Sequence, residues 1–562
     1  VSEYYPLPGQ NETELIARIP LPPVTQTFPY LEDTYGAANP YMGTGEATCK
    51  AVYVAAAAGA AGGKAVFSID ELSRVAMERS TTAREAVALM GDLAVKHGFY
   101  GPATSEGSGE SLIVADPAEG WVFHVLPDAT GASAIWAAQR VPSGHVTVIA
   151  NTFIIRTINA SDPNTFQFGP NIAAAAAERG CPTPVDFSGC FSGGEYPHKY
   201  SSGRRMWRAY SLLAPQLQLA PEYGNIVTDA PFPFSAPPAR PVALADVFAV
   251  YRDYLEGTAF DMTVGPASGP FGTPDRYTAG NGEHSFPKSW WERPIGLFRT
   301  SNTYVTEVRP HAPAELRTVL WYGPHAAHGT VFQPFFPALP SSVAGSYAWG
   351  HQHQLNRTTA FWAHRFVLNI AQIKFDYMMP RVRQQQIDRE RAMQDGVALW
   401  TQRFASGALT PAHLARLVRE AADDTVAQWW ALADDLMFRF ADGFVSTEER
   451  FGQSVGYPSW WLKHVGYDKY HPDSDRVATR AVMDAGAEPG MKKLYGTPVL
   501  RRVSGEEVET PSESRSAARR AAVAKQAALY AAAQQSASAG APTDSAALGV
   551  TRVHRQFYRR GV

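Results

Sequence analysis

Glu110-Ser111-Leu112-Ile113-Val114-Ala115-Asp116, Trp121-Val122-Phe123-His124-Val125-Leu126, Ala132 to Arg140 and His145-Val146-Thr147-Val148-Ile149-Ala150-Asn151 are four β-rich runs in close succession. Asp116-Pro117-Ala118-Glu119-Gly120, Pro127-Asp128 and Pro142-Ser143-Gly144 separate them, and these are turn-forming sequences. Connections this short join antiparallel neighbours, because a parallel crossover needs a dozen residues or more. The stretch therefore predicts a four-stranded meander rather than βαβ units.

Working outward, Ser68-Ile69-Asp70-Glu71 has the pattern of a capping box, in which the hydroxyl accepts from the N3 amide and the glutamate reaches back to the cap amide. Thr82-Ala83-Arg84-Glu85 repeats it. Two helices follow. The second places Ala83, Ala86, Val87, Met90, Leu93 and Ala94 on one face and stops at Gly98. Two helices followed by antiparallel strands predict a layered α+β fold. Before them, residues 1–66 mix Pro-rich connections with short apolar runs, and Ala55 to Ala61 is a low-complexity insertion that reads as a loop.

From about Ala360 to Leu462 the pattern becomes helical, with Phe375-Asp376-Tyr377-Met378 leading into a charged stretch and Trp429-Trp430 deep in another helix. Trp290, Trp291, Trp460 and Trp461 are candidates for a pocket wall or, more commonly for such residues, for the core. After His471 the composition turns to Ala, Ser, Arg and Pro. Ser514 to Tyr530 suits a basic helix and Gln534 to Ala547 a tether. The expected divisions are 1–355 for the α+β core, 356–470 for a helical addition and 471–562 for an extended tail.

The 562 residues include 45% apolar and 12% aromatic side chains, enough for a substantial core. A net charge of −3 argues against a nucleic-acid binder. The average hides an asymmetry: Lys492 to Val562 carries twelve Lys and Arg against five Asp and Glu, a local +7 that leaves about −10 for the remainder. That basic tail reads as disordered, as a docking element for an acidic protein partner or, less favoured, as a contact for nucleic acid or a membrane surface. No apolar run reaches membrane-spanning length. Cys49, Cys181 and Cys190 are the three cysteines; the last two, nine apart, suit a short loop disulfide. Asn11, Asn159 and Asn356 stand in N-x-S/T sequons. With the cysteine pair they point to a secretory, lumenal or extracellular location, where the asparagines would accept glycans.

Several collinear segments carry a resemblance. They are Gly45-Glu46-Ala47-Thr48-Cys49, Ile69-Asp70-Glu71-Leu72-Ser73-Arg74, Gly109-Glu110-Ser111-Leu112, Trp136-Ala137-Ala138-Gln139-Arg140, His145 to Asn151, Gly203-Arg204-Arg205-Met206-Trp207-Arg208, Trp291-Glu292-Arg293-Pro294-Ile295, Trp321-Tyr322-Gly323-Pro324 and Gly456-Tyr457-Pro458-Ser459-Trp460-Trp461. Together they resemble the secreted-type cysteine dipeptidases of the N-terminal-nucleophile hydrolase superfamily, from about residue 40 to about residue 465.

The resemblance implies a four-layer αββα sandwich and hydrolysis of short peptides through an N-terminal Cys, without a cofactor or metal. In such enzymes the first residue's own α-amine is the base for its thiol. Val1 cannot act so, and the nucleophile is expected in a cleaved N-terminal segment outside this chain. The alternative is an inactive descendant serving as a structural or interaction subunit. Asn151 is the expected oxyanion donor, its other reading being a strand-end Asn that satisfies a turn. Arg204 is expected to pair with a catalytic-site acid and Arg205 to bind substrate, the other reading being a structural ion pair or a solvated helix start. Glu46 is expected to receive a substrate α-ammonium, or else to be a buried glutamate tied to amides. Cys49 has no free α-amine and reads as a small buried side chain. His351-Gln352-His353 lacks the supporting ligands of a metal site.

Overall fold

Seven antiparallel strands follow one another across a single sheet in sequence order. They are β1 (Leu31–Asp33), β2 (Gly36–Ala38), β3 (Gly43–Cys49), then, after helices α1 (Ile69–Arg79) and α2 (Ala83–His97), β4 (Gly109–Ala115), β5 (Gly120–Pro127), β6 (Ala134–Val141) and β7 (Phe166–Phe168). The computed structural model describes residues 24–467 apart from 25, 34–35, 103–106, 196–198, 278–290, 351–352 and 447–451. Asn11 and the tail 471–562 lie outside the described residues.

Alternation along the strands splits the sheet into two faces. Leu112, Val114, Trp121, Phe123, Val125, Ala134, Trp136 and Ala138 point to one, where α1 and α2 cover them with Leu72, Val75, Val87 and Met90 in a continuous apolar layer. The approach is close: a Cβ on Gly91 of α2 would lie 2.1 Å from the Trp136 ring. Val122, Leu126, Ile135 and Ala137 point to the opposite face.

Each capping box is half formed. Ser68 accepts from the Glu71 amide and Thr82 from the Glu85 amide, as expected. The return bonds differ. Glu71 is buried and accepts from Arg74 at 3.0 Å, because a buried arginine needs its counter-ion more than an N-terminal amide does. Glu85 instead takes the Thr81 amide and hydroxyl, both at 3.2 Å.

The meander is corrected at its fourth member. The segment 145–151 leaves the sheet, meeting residue Ala236 through a single two-way bridge with Val146 (2.8 and 2.9 Å). Phe166–Phe168 takes the place beside β6, with Phe168 opposite Ala137. A stretch of β-forming residues thus becomes a covering loop, because β6 finds its partner twenty-five residues later.

Beyond β7 come α3 (Ile172–Glu178), α4 (Phe187–Phe191), α5 (Gly203–Leu213) and α6 (Leu244–Tyr251). A second antiparallel sheet has the order β10-β9-β8, from β8 (Thr303–Val308), β9 (Thr318–Gly323) and β10 (Gln333–Phe335). Tyr304 of β8 reaches the first sheet, its hydroxyl donating to the Thr44 carbonyl at 3.2 Å. After α7 (Gly345–Ala348) the expected helices appear as α8 (Ala360–Ala371), α9 (Phe375–Ala405) and α10 (Pro411–Arg439). They share one apolar core with the second sheet, in which Phe248, Trp321 and Phe332 meet Leu368, Met378 and Trp429. A bidentate Arg252–Glu390 pair (2.9 and 2.5 Å) crosses this core. A short ribbon of β11 (Phe444–Val445) and β12 (Gln453–Ser454) follows.

Among the described residues, those up to 455 belong to one compact unit and 456–467 to a second. The described part of the second holds α11 (Ser459–His464), in which the Trp460 and Trp461 rings meet edge to face at 5.7 Å and Trp460 is exposed. Trp291, in the first unit, is exposed too, so neither is the core residue that composition favours. Trp290 lies outside the described residues. The architecture is α+β. No helix among the described residues is long and apolar enough to cross a membrane.

Candidate active site

Asn151 stands at the tip of the covering loop with φ of 56°, a left-handed conformation that Asn tolerates better than most side chains. Its Nδ2 donates to the Thr48 carbonyl of β3 at 2.6 Å, and its Oδ1 accepts from Arg205 Nη2 at 3.0 Å. A guanidinium can only donate, so the amide oxygen must face Arg205 and the NH2 group must face β3. One of the two amide protons serves Thr48. The orientation of the other is thereby fixed.

The loop is held from beneath by a polar relay across the sheet. His124 Nε2 accepts the amides of Ile154 (2.9 Å) and Ile155 (3.2 Å), so its proton resides on Nδ1 and is donated to Ser111 Oγ at 2.7 Å. The Ser111 hydroxyl then donates to Cys49 Sγ at 3.0 Å, because the thiol proton is used on the Ala47 carbonyl at 3.2 Å. All three side chains are fully buried. Burial drives His124 from its ordinary 6.5 down to about 3 and raises the Cys49 thiol well above its usual range. Cys49 is therefore a neutral structural thiol, as its sequence setting predicts. Strand register makes the relay, placing Ser111 opposite both Ala47 and His124.

Arg205 comes from the first turn of α5, where it also donates from Nε to the Ser201 carbonyl at 2.7 Å. That helix has no side-chain cap of its own. Glu195 supplies one from outside, accepting the amides of Tyr200 (3.0 Å), Ser202 (2.9 Å) and Gly203 (3.0 Å) and the Tyr223 hydroxyl (2.6 Å). A carboxylate so placed satisfies orphan donors and opposes the helix dipole. Gly203 is required by contact, since a Cβ there would lie 2.2 Å from the Tyr223 oxygen. Sequence reasoning missed Glu195, which lies five to eight residues before its amide partners with no periodic signal; the one hint was a helix start without a cap box.

Arg204 is paired with an acid. It is 2% exposed, stacks 3.4 Å from the Phe260 ring centroid, and bonds Glu292 at 3.2 and 3.4 Å and the Pro221 carbonyl at 2.7 Å. Its donors are thus engaged within the chain. Glu46 sits half-buried on β3 opposite Leu112, and so on the face that α1 and α2 cover rather than the one beneath the Asn151 loop. Cys181 and Cys190 are joined with a Cα separation of 5.9 Å, tying the end of α3 to α4. Asn159 is exposed and Asn356 half-buried; each side chain accepts from the residue two ahead. His351 lies outside the described residues, among which no group of three or more His, Cys, Asp or Glu is arranged to hold a metal.

Asn151, Arg205, Glu195 and Glu46 all fall within residues 36–388, the span that matches peptidase family C69. The chain belongs to that family. It is 22% identical over 330 residues to a probable dipeptidase of Latilactobacillus sakei, covering 58% of this chain and 61% of that one. A probable dipeptidase of Salmonella dublin is 23% identical over 318 residues (54% and 64%), and a dipeptidase of Bifidobacterium longum 25% over 304 residues (51% and 50%). The match thus spans half to two thirds of the length of these curated relatives.

Proposed function

We propose that the chain is the body of a dipeptidase-like hydrolase, with the two larger sheets as the inner layers of an αββα sandwich. The observation that carries this reading is the Thr48–Asn151–Arg205 constellation, an amide whose orientation is dictated on both sides and whose remaining proton is free for a developing oxyanion. The thiol is supplied by an N-terminal Cys beyond these 562 residues. Its α-amine takes the thiol proton, the thiolate attacks the peptide carbonyl, and the amine returns the proton to the leaving amino group. Water then releases the acyl group from the thioester.

An inactive interaction subunit is the second reading. It is favoured by the cysteine inventory: Cys181 and Cys190 are joined and Cys49 is buried and neutral. The deciding experiment treats the natural protein with a thiol-directed dipeptide electrophile and locates the label by intact mass. Label on a Cys-initiated segment, with N151A lowering kcat by about 10²–10³, supports the hydrolase. Absence of any label, or label on Cys49, selects the inactive subunit.

A further inference from the structure

The segment that carries Asn151 is clamped from two sides. His124 takes the amides of Ile154 and Ile155 from beneath, and further backbone groups of the same segment are taken by a strap, residues 181–191. The Ile158 amide donates to the Val185 carbonyl at 3.0 Å, while the Phe187 and Ser188 amides donate to the carbonyls of Arg156 (3.0 Å) and Ile155 (2.9 Å). The Ser188 hydroxyl donates to the Phe153 carbonyl, and an Arg156–Asp186 ion pair spans the two segments. The Phe187 ring packs 5.4 Å from that of Phe153 and 5.9 Å from that of His124. Past Cys190 the chain reaches the end of β3: the Val52 amide donates to the Phe191 carbonyl at 3.1 Å, and the Gly193 amide to the Lys50 carbonyl at 2.8 Å. Thr48, whose carbonyl holds the Asn151 amide, stands two residues before Lys50. The strap therefore touches both chain segments that meet in the Thr48–Asn151 contact.

The crosslink closes this strap. Between Cys181 and Cys190, nine positions apart, the only helix or strand is the start of α4. The foot at Cys181 stands on α3, its amide donating to the Ala176 carbonyl at 2.9 Å, and α3 is fixed to β6 by Asn171, whose Nδ2 donates to the Ala134 carbonyl at 2.9 Å. Joining Cys190 to that foot restricts the open arrangements available to the residues between. We infer that the crosslinked strap positions Asn151, so that the geometry of the site depends on the oxidation state of Cys181 and Cys190. Its effect on rate rests on the reading of Asn151 as the oxyanion donor. Cys190 is buried and Cys181 half-buried, so a dithiol reductant attacks the Cys181 sulfur. The S–S bond breaks, Cys190 leaves as a thiolate and takes up a proton, and the second thiol of the reductant displaces Cys181 from the mixed disulfide. Two electrons pass to the cysteine pair and the reductant becomes a disulfide. The hydrogen bonds of the strap remain available afterwards, but without loop closure they open more often.

Hydrogen exchange, read by mass spectrometry on the natural protein before and after treatment with dithiothreitol, tests this independently of turnover. Peptides covering 153–158 and 183–189 are expected to exchange roughly 10- to 100-fold faster after reduction, with α2 unchanged. The double variant C181S/C190S should show the same fast exchange without reductant, and S188A, with the crosslink intact, a smaller change in the same peptides. Where dipeptide hydrolysis is measurable, C181S/C190S should lower kcat by more than it raises KM, since an oxyanion donor acts in the transition state. Unchanged exchange at 153–158 overturns the inference, as does a rise shared equally by α2, which marks a staple for the whole fold, or an unaltered kcat in C181S/C190S. Local opening in a protein that hydrolyses no dipeptide leaves the role of the strap standing and sinks the hydrolase reading alone.

Discussion

The two faces of the seven-stranded sheet are built from the same alternating strands, yet the one under α1 and α2 is mostly apolar, with buried Glu110 as an exception, and the other carries a chain of hydrogen-bonded polar groups. On the first, Phe123, Trp121 and Trp136 lie under α1 and α2, whose amides and carbonyls are satisfied within the helices. On the second, the cover is largely a loop. A buried loop brings unpaired amides, and these must find acceptors in what lies beneath. His124 is one acceptor; the Ser188 hydroxyl, donating to the Phe153 carbonyl at 2.9 Å, serves the loop in the opposite sense. The lesson is that a run of hydrogen-bonded polar residues on one face of the sheet marks where an irregular segment is laid down.

Substitutions on the two faces should separate these roles. The largest effect on stability is expected for F123A on the helix-covered face, a loss of about 3–5 kcal/mol from cavity formation, with activity per folded molecule unchanged. Chemical denaturation combined with active-site titration checks this; a drop in specific activity would show that the helix-covered face also sets site geometry. On the loop-covered face, H124L removes the acceptor for two buried amides and is expected to cost about 2–4 kcal/mol. It should also speed hydrogen exchange at Ile154 and Ile155 and lower kcat by displacing Asn151. Slow exchange retained at both amides would break the comparison.

A third effect is one of pH. Burial lifts the Glu71 carboxyl from 4.5 to about 7, against the pull of Arg74. A carboxyl raised in the folded state contributes stability that is fully present below about pH 4.5 and lost as the pH rises through about 7. E71Q should therefore match the unaltered protein near pH 4.5 and exceed it in stability near pH 8. Denaturation midpoints at the two values decide it, and a gap independent of pH would mean that the charged pair with Arg74 is self-sufficient.

Helices α1 and α2 were legible down to their caps, because a capping hydroxyl and an apolar stripe are local features. Three of the four meander strands were equally legible from alternation and turn residues. The run 145–151 misled because its composition suits a strand while its fate depended on whether β6 would choose it or Phe166–Phe168. Asn151 and Arg205 were reached through resemblance, and the contact between them needed the fold. Arg204 could not be told from Arg205 in the sequence, since neighbouring residues on a helix point about 100° apart and only their surroundings give them different duties. Glu195 carried no local signal at all.

The sequence by itself determined the α+β class, the antiparallel order of β4 to β6, the buried face of α2 and the family motifs, because each depends on periods and turns a few residues long. Tertiary structure alone decided which way the Asn151 amide faces, that Glu195 caps α5, that Arg204 is spent on Glu292, and that Cys49, Ser111 and His124 form one relay. These depend on donors and acceptors brought together from positions thirteen to more than a hundred residues apart, or across a turn whose direction the local sequence does not set. Their pairing follows from which buried polar groups would otherwise go unsatisfied, and that accounting exists only once the chain has folded.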